Sequence, residues 1–326
     1  TALRTERDPA LRMAVAEALV RSAPDGDTSR RTFLDALSTD PEAFLRLRAL
    51  AGAGEGEPVL DALADLAART PPGPGRAAVA RAAVAVGFRK FRLTGGEPTL
   101  RADVVEIVAR LARIPGVGDL AMTTNGVLLP QLAGPLAAAG LRRVNVHLDS
   151  LDPDRLARVM RWGTLAEIWA GIGAAVAAGL RPIKLNAVIA RGFNEEDVVP
   201  LAALTLERDW HVRFIETMPV GPGDTAAIAR GGLVPSAETR ARIEAALGPL
   251  AELAPGHRAD ESRNFRAPGA RGVLGFISPV TEPYCGTCNR MRLTAEGRFH
   301  LCLLNDDELD VKHALRSGGG RLVTTA

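Results

Sequence analysis

From residue 76 onward, short apolar runs alternate with amphipathic helical stretches, and that alternation constrains the fold more than any other feature of the chain. Helical spacing is read over 76–86, 103–113, 129–139, 165–178 and 197–206; strand-like runs occupy 89–93, 120–123, 143–148, 183–189 and 212–216. Strands separated by helices of this length form right-handed βαβ units, so the sheet is predicted to be parallel, either a barrel or an open doubly wound sheet. Each strand also runs into a polar or glycine-rich loop: Thr94-Gly95-Gly96-Glu97-Pro98, Thr123-Thr124-Asn125-Gly126, His147-Leu148-Asp149-Ser150, the stretch around Lys184 and Asn186, and Glu216-Thr217-Met218. In a barrel-like fold such loops converge on one mouth, where active sites are built.

The flanking regions read differently. Residues 1–75 show short helical patterns, two of them opening with Pro at the first turn, and end in Thr70-Pro71-Pro72-Gly73-Pro74-Gly75, which stops a helix and marks a boundary. After Gly221 the chain loosens into glycine- and proline-rich loops with one helix, about 237–246. The expected organisation is a helical N-terminal segment over 1–75 with no chemistry of its own, a partial barrel over 76–222 and a C-terminal region over 223–326.

Composition removes several classes. No run approaches the roughly 18 uninterrupted apolar residues of a membrane span. The first twenty residues carry Arg4, Glu6, Arg7, Asp8, Arg12 and Glu17, unlike a secretory signal, so the expected compartment is the cytoplasm. Residues 1–75 hold nine Arg against twelve Asp and Glu, a charge of −3, so with a net charge of +2 the remainder carries +5. That surplus suits a polyphosphate ligand but is too dilute for nucleic acid, where a dense basic stripe is needed.

The strongest chemical signal is Cys285-Gly-Thr-Cys288, followed after thirteen residues by Cys302. The chain has three cysteines, all in its last 42 residues. An odd number grouped in this way argues for a metal or a reactive thiol before a disulfide framework. Two thiolates from a tight turn and a third returning later close a three-cysteine site with one position open, for an iron–sulfur cubane or for zinc; spacing does not choose between them. Arg290 and Arg292, flanking Met291, place two guanidinium groups beside that segment, suited to phosphate or carboxylate oxygens or equally to a solvated strand face. In Thr94-Gly95-Gly96-Glu97-Pro98, paired glycines permit close backbone approach to a ligand and Glu97 can accept from an ammonium or hydroxyl group, although a plain tight turn would look the same. His147 reads as a loop histidine without an acid–base partner, and Met218 and Lys184 are ordinary taken alone.

Taken together, Lys90-Phe-Arg-Leu-Thr-Gly-Gly-Glu-Pro-Thr-Leu-Arg101, Thr123-Thr-Asn-Gly126, Val144-Asn-Val-His-Leu-Asp-Ser-Leu151, Arg213-Phe-Ile-Glu-Thr-Met218 and Cys285-Gly-Thr-Cys-Asn-Arg-Met-Arg292 with Cys302 resemble the GTP 3′,8-cyclases of molybdenum cofactor biosynthesis, radical S-adenosylmethionine (SAM) enzymes. The order and spacing match over residues 76 to about 316. The resemblance implies an incomplete (β/α) barrel of radical SAM type, with a helical N-terminal segment and a C-terminal cluster-binding region. It implies that one 4Fe-4S cluster cleaves SAM to a radical that takes hydrogen from the ribose of GTP, while a second, C-terminal 4Fe-4S cluster holds the purine through its open iron. By position, Cys285, Cys288 and Cys302 would ligate that second cluster; Lys90, Arg92, Thr123, Lys184, Arg290, Met291 and Arg292 would line the GTP pocket; Gly96, Glu97 and Met218 would hold SAM, with His147 where a SAM-contacting serine is usual. The resemblance further implies the downstream pterin-forming enzyme and a second copy of the chain as partners.

Three departures accompany the resemblance. The family's N-terminal motif of three cysteines, which binds the SAM cluster, has no counterpart before Cys285; residues 1–75 do not resemble the family; and Gly318-Gly319-Gly320 is followed by Arg-Leu-Val-Thr-Thr-Ala rather than closing on two glycines. Two further readings therefore stand beside the cyclase: a one-cluster nucleotide-binding remnant or fusion unable to start the radical, and an unrelated aldolase-like barrel with a zinc site, for which His300 would be the nearby fourth ligand.

Overall fold

In a computed structural model, the structure describes residues 88–160, 162–219, 231–254 and 261–285, with further positions at 80, 83, 84, 288, 290, 292–294, 298–300, 302, 304 and 308–310. The expected helices over 1–75, most of that over 76–86, and Met291 lie outside the described residues. The chain divides into two compact units, one of residues 90–113 and 117–287, the other of residues 1–89, 114–116 and 288–326.

The first unit is built on an eight-stranded open sheet. Its strands are β1 (Lys90–Leu93), β2 (Asp119–Thr124), β3 (Arg143–His147), β4 (Lys184–Ile189), β5 (His211–Glu216), β6 (Ala251–Glu252), β7 (Arg263–Arg266) and β8 (Val273–Ile277), in the spatial order β1-β2-β3-β4-β5-β8-β7-β6. The run from β1 to β5 and on to β8 is parallel, and β7 and β6 close the far edge antiparallel. An open, mostly parallel sheet of sequential strands is the incomplete barrel that the family resemblance implies.

The helices are α1 (Val104–Ala112), α2 (Leu129–Ala138), α3 (Pro153–Val159), α4 (Leu165–Ala177), α5 (Val198–Glu207) and α6 (Ser236–Leu247). Their starts follow local chemistry. Thr164 and Glu167 form a reciprocal capping box at the head of α4, and the Asp152 carboxylate accepts from Arg155 N to open α3, with Pro153 in the first turn. One face of the sheet carries Leu120, Met122, Val144, Val146, Leu185, Ala187, Val212, Phe214, Leu274 and Phe276, all buried, alongside Leu111, Leu136, Ile168, Ile172, Leu201 and Ile243 from the helices. At about 25 cal/mol per Å² of apolar surface removed from water, this layer is the main source of stability.

Sequence periodicity places the helices and parallel strands of this unit to within one or two residues, but it passes over α3 and the strands β6 to β8. The five residues of β8, Val-Leu-Gly-Phe-Ile, are all buried; a short run buried on both faces shows no alternation to read. In the second unit the described residues include a three-stranded antiparallel sheet of β9 (Arg292–Leu293), β10 (Arg298–His300) and β11 (Glu308–Asp310), ordered β11-β10-β9.

Candidate active site

Strand register determines which side chains share the face opposite the helices. Thr123 pairs with Asn145, Asn145 with Lys184, and Lys184 with His211, so these four form one row across β2 to β5. Two residues further along, His147 pairs with Asn186, Asn186 with Arg213, and Arg213 with Gly275 of β8. On the other side Arg92 pairs with Ala121 and Lys90 with Asp119. Because side chains alternate with period two, all of these lie on one face. That face carries Lys90, Arg92, Arg143, Lys184 and Arg213, while the opposite face is the apolar core.

These cations are not equivalent. The Arg143 guanidinium is committed to Asp119, with Nη2 2.7 Å and Nε 3.1 Å from Oδ2, and it donates from Nη1 to Asn145 Oδ1 at 3.3 Å. Arg213 has a side chain only 5% exposed and meets Glu261 at 3.3 Å. Sequence reasoning quoted Arg213 in a motif without giving it a role. The available signal was an arginine flanked by Val212 and Phe214 within a strand-like run. Two buried polar atoms of the same face, Asn145 Nδ2 and Asn186 Oδ1, have no hydrogen-bond partner among the described residues. An orphaned donor and an orphaned acceptor on neighbouring strands are costly unless a ligand or water satisfies them.

The loops at the carboxyl ends of the strands are held by buried or half-buried acids. Glu97 Oε1 accepts from Thr99 N at 3.0 Å, from Thr99 Oγ1 and from Thr124 Oγ1 at 2.8 Å, and its Oε2 accepts from Asn125 N at 2.7 Å. Glu97 therefore joins the loop after β1 to the loop after β2, a positioning task beyond the ligand contact read from sequence. Gly95, with φ of 146°, is the glycine the turn requires; a Cβ on Gly96 would meet nothing within 4 Å, so its backbone faces open space. Asp149 Oδ1 accepts from Val188 N at 2.8 Å, and Asn194 Nδ2 donates to the Asp149 and Val188 carbonyls at 2.8 and 2.9 Å. Asp197 accepts from Leu151 N at 3.0 Å and pairs with Arg155. Glu216, 2% exposed, accepts from Ser236 N at 2.9 Å at the head of α6, from Val280 N and Thr281 N at 3.1 and 3.0 Å, and from Thr281 Oγ1.

His147 differs from its sequence reading. Its Nε2 lies 2.7 Å from Asp149 Oδ2, so it has a carboxylate partner two residues away in a loop that folds the acid back. Burial lowers the imidazole pKa, but the hydrogen bond and charge of Asp149 outweigh it, and the net shift is upward. Met218 stands half-buried just beyond β5.

Cys285 is exposed and Cys288 and Cys302 are half-buried; all three are free thiols, and Leu304 N approaches the Cys302 sulfur at 3.4 Å. Among the described residues no group of three or more His, Cys, Asp or Glu is gathered as a metal site. Arg292 is on β9, and Arg290 precedes it. The structure thus brings Lys90, Arg92, Thr123, His147 and Lys184 onto one sheet face, with Gly96, Glu97 and Met218 in the loops that follow the strands.

Residues 76–205 match the Radical SAM superfamily, the class to which the open parallel sheet and its mouth loops belong, and residues 210–324 match Molybdenum Cofactor Synthesis C. The chain is 48% identical over 242 residues to the GTP 3′,8-cyclase of Pelotomaculum thermopropionicum, covering 74% of each chain. It is 46% identical over 244 residues to that of Moorella thermoacetica, again covering 74% of each. The chain belongs to the GTP 3′,8-cyclase family. Among solved structures it is similar to coproporphyrinogen III oxidase (HemN) from Escherichia coli, at 12% identity and a TM-score of 0.45, over 82% of this chain and 64% of that one. No helix among the described residues is long and apolar enough to cross a membrane.

Proposed function

We propose that the chain binds GTP on the polar face of the sheet and acts in the radical SAM cyclisation of GTP that begins molybdenum cofactor biosynthesis. The observation that carries this reading is the in-register polar face, where Arg92, Lys184 and Arg213 converge with Thr123, Asn145 and Asn186. Arginine and lysine neutralise phosphate oxygens, and the orphaned Asn145 Nδ2 and Asn186 Oδ1 offer a donor and an acceptor to a ribose or purine edge. Gly96 and the strand-end loops would receive SAM, with Glu97 fixing the shape of that subsite and His147, held by Asp149, presenting a polar group at its rim. A second copy of the chain and the enzyme that consumes the product are its proposed partners.

Three thiolates would suit an iron–sulfur cluster with one open iron, and the free Cys285, Cys288 and Cys302 are the residues that would hold it. When bound, that group supplies a Lewis-acidic site for a nitrogen or oxygen of the purine. Arg290 and Arg292 would then receive the anionic part of the substrate. For the cluster that reduces SAM the residues do not fit: residues 1–284 contain no cysteine. No step is assigned to it, and this observation favours the second reading, a chain that binds GTP through one cluster without cleaving SAM.

Anaerobic reconstitution with iron and sulfide, followed by an iron count and an assay for 5′-deoxyadenosine with and without GTP, tests both. GTP-dependent cleavage of SAM supports the full cyclase. About four irons per chain with GTP binding and no cleavage supports the one-cluster reading; failure to bind GTP removes both.

A further inference from the structure

Glu216 is the acid of β5 that lies on the apolar side of the sheet. Arg213 belongs to the polar face, and a period of two groups Glu216 instead with Val212 and Phe214, both buried. Only 2% of Glu216 is exposed. Its partners among the described residues are neutral donors: Ser236 N at 2.9 Å and Thr281 Oγ1 on Oε1, and Val280 N and Thr281 N at 3.1 and 3.0 Å on Oε2. A carboxylate buried without a cation is costly unless its hydrogen bonds are complete. Here those bonds tie the end of β5 to two segments distant in sequence, the head of α6 and the turn after β8.

Register explains the reach. Ile215 and Ile277 are the last pair of β5 and β8, so Glu216 stands level with Ser278, where β8 has ended and the chain turns. The turn is braced from its other side as well: Glu282 N donates to the Ser278 carbonyl at 3.2 Å, and Arg263 Nη1 of β7 lies 2.9 Å from Glu282 Oε2. Cys285 follows Glu282 closely, with Pro283 and Tyr284 between them. Proline fixes its own φ and restricts the residue before it, so the link from the anchored turn to the thiol is short and stiff.

We propose that Glu216 is a positioning residue for Cys285: by drawing Val280 N and Thr281 N onto the end of β5, it fixes the turn that presents this thiol as a cluster ligand. Glu216 acts through the backbone of the turn, from the side of the sheet that faces away from the polar row. Thr281 takes part twice, through its amide and its hydroxyl, so a single methyl-for-hydroxyl exchange there loosens the anchor without removing the carboxylate. The inference rests on the reading of Cys285 as a cluster ligand and adds what holds that ligand in place.

Two measurements on the full chain test it, comparing the wild type with Glu216→Gln, Thr281→Val and Thr281→Ser. Hydrogen–deuterium exchange before reconstitution reads the turn, and release of iron to the chelator ferrozine after anaerobic reconstitution reads the ligand. In Glu216→Gln, exchange over 278–285 is expected to rise about tenfold with α4 unchanged, and iron is expected to leave about tenfold faster. Thr281→Val should move both in the same direction by a smaller factor, and Thr281→Ser should restore wild-type behaviour. Unchanged exchange over 278–285 overturns the role, and so does faster exchange with iron held as in the wild type. A destabilised control in α4, Gly171→Ala, separates positioning from general loosening: equal iron loss there, at matched stability, also overturns it. If Glu216→Gln is poorly folded by circular dichroism, Thr281→Val against Thr281→Ser carries the comparison. A wild type that takes up no iron removes the cluster reading and this role with it, whereas a loaded wild type with unaffected variants removes the role alone.

Discussion

His147 and Asp149 show how one residue acquires a property its sequence position hides. Sequence reading found no partner for the imidazole, since an acid two residues away meets it only if the chain turns back on itself, as the loop after β3 does. The consequence is a pH dependence with a definite sign. The folded-state pKa is raised above that of an unfolded histidine, near 6.5, so the pair's stabilisation is fully present below that value and is lost as pH rises through the folded one. Urea unfolding midpoints should fall across that window in the wild type, and the fall should be absent in His147→Gln. Arg213 presents the converse case. Its motif was visible but its role was not, because a strand arginine reveals its face only when register with Lys184 and Asn186 is known. Arg213→Ala should weaken GTP binding by about tenfold or more, the cost of losing a charge-assisted contact, as measured by titration.

Among the elements, α4 separates packing from propensity. A Cβ at Gly171 would stand 1.9 Å from the Gly126 carbonyl oxygen in the loop after β2, whereas a Cβ at Gly173 meets nothing within 4 Å. Gly171→Ala should destabilise by about 1–3 kcal/mol through forced separation of helix and loop, and Gly173→Ala should stabilise by about 0.5–1 kcal/mol through helix propensity; denaturant curves of the two variants check both signs. Glu216→Ala should cost about 3 kcal/mol or more, because it leaves the backbone donors of Ser236, Val280 and Thr281 without their acceptor. At this scale the sequence was legible where periodicity was long: the helices α1, α2, α4 and α5 and the five sequential parallel strands. It was not legible for α3, whose seven residues bury only Leu156 despite the Asp152-Pro153 start, or for β6 to β8, which are too short or too evenly buried to alternate.

For the molecule as a whole, the thiols supply a check of the proposed function that is independent of the polar face. In the chain without iron, Cys285, the exposed thiol, should react with iodoacetamide faster than Cys288 and Cys302. Reconstitution with iron and sulfide should protect all three together, and mass spectrometry of the labelled peptides reads this without any assay of turnover. Protection of fewer than three would remove that ligand set. The segregation of the sheet into one apolar and one polar face has a further consequence. Along β1 to β5, the residues packed against the helices and the residues of the polar face occupy alternate positions, so the two sets can change almost independently. A library varied at Lys90, Arg92, Thr123, Lys184 and Arg213 alone would sample new ligand chemistry on a scaffold whose helix-packed side is untouched, which makes the sheet a reprogrammable surface.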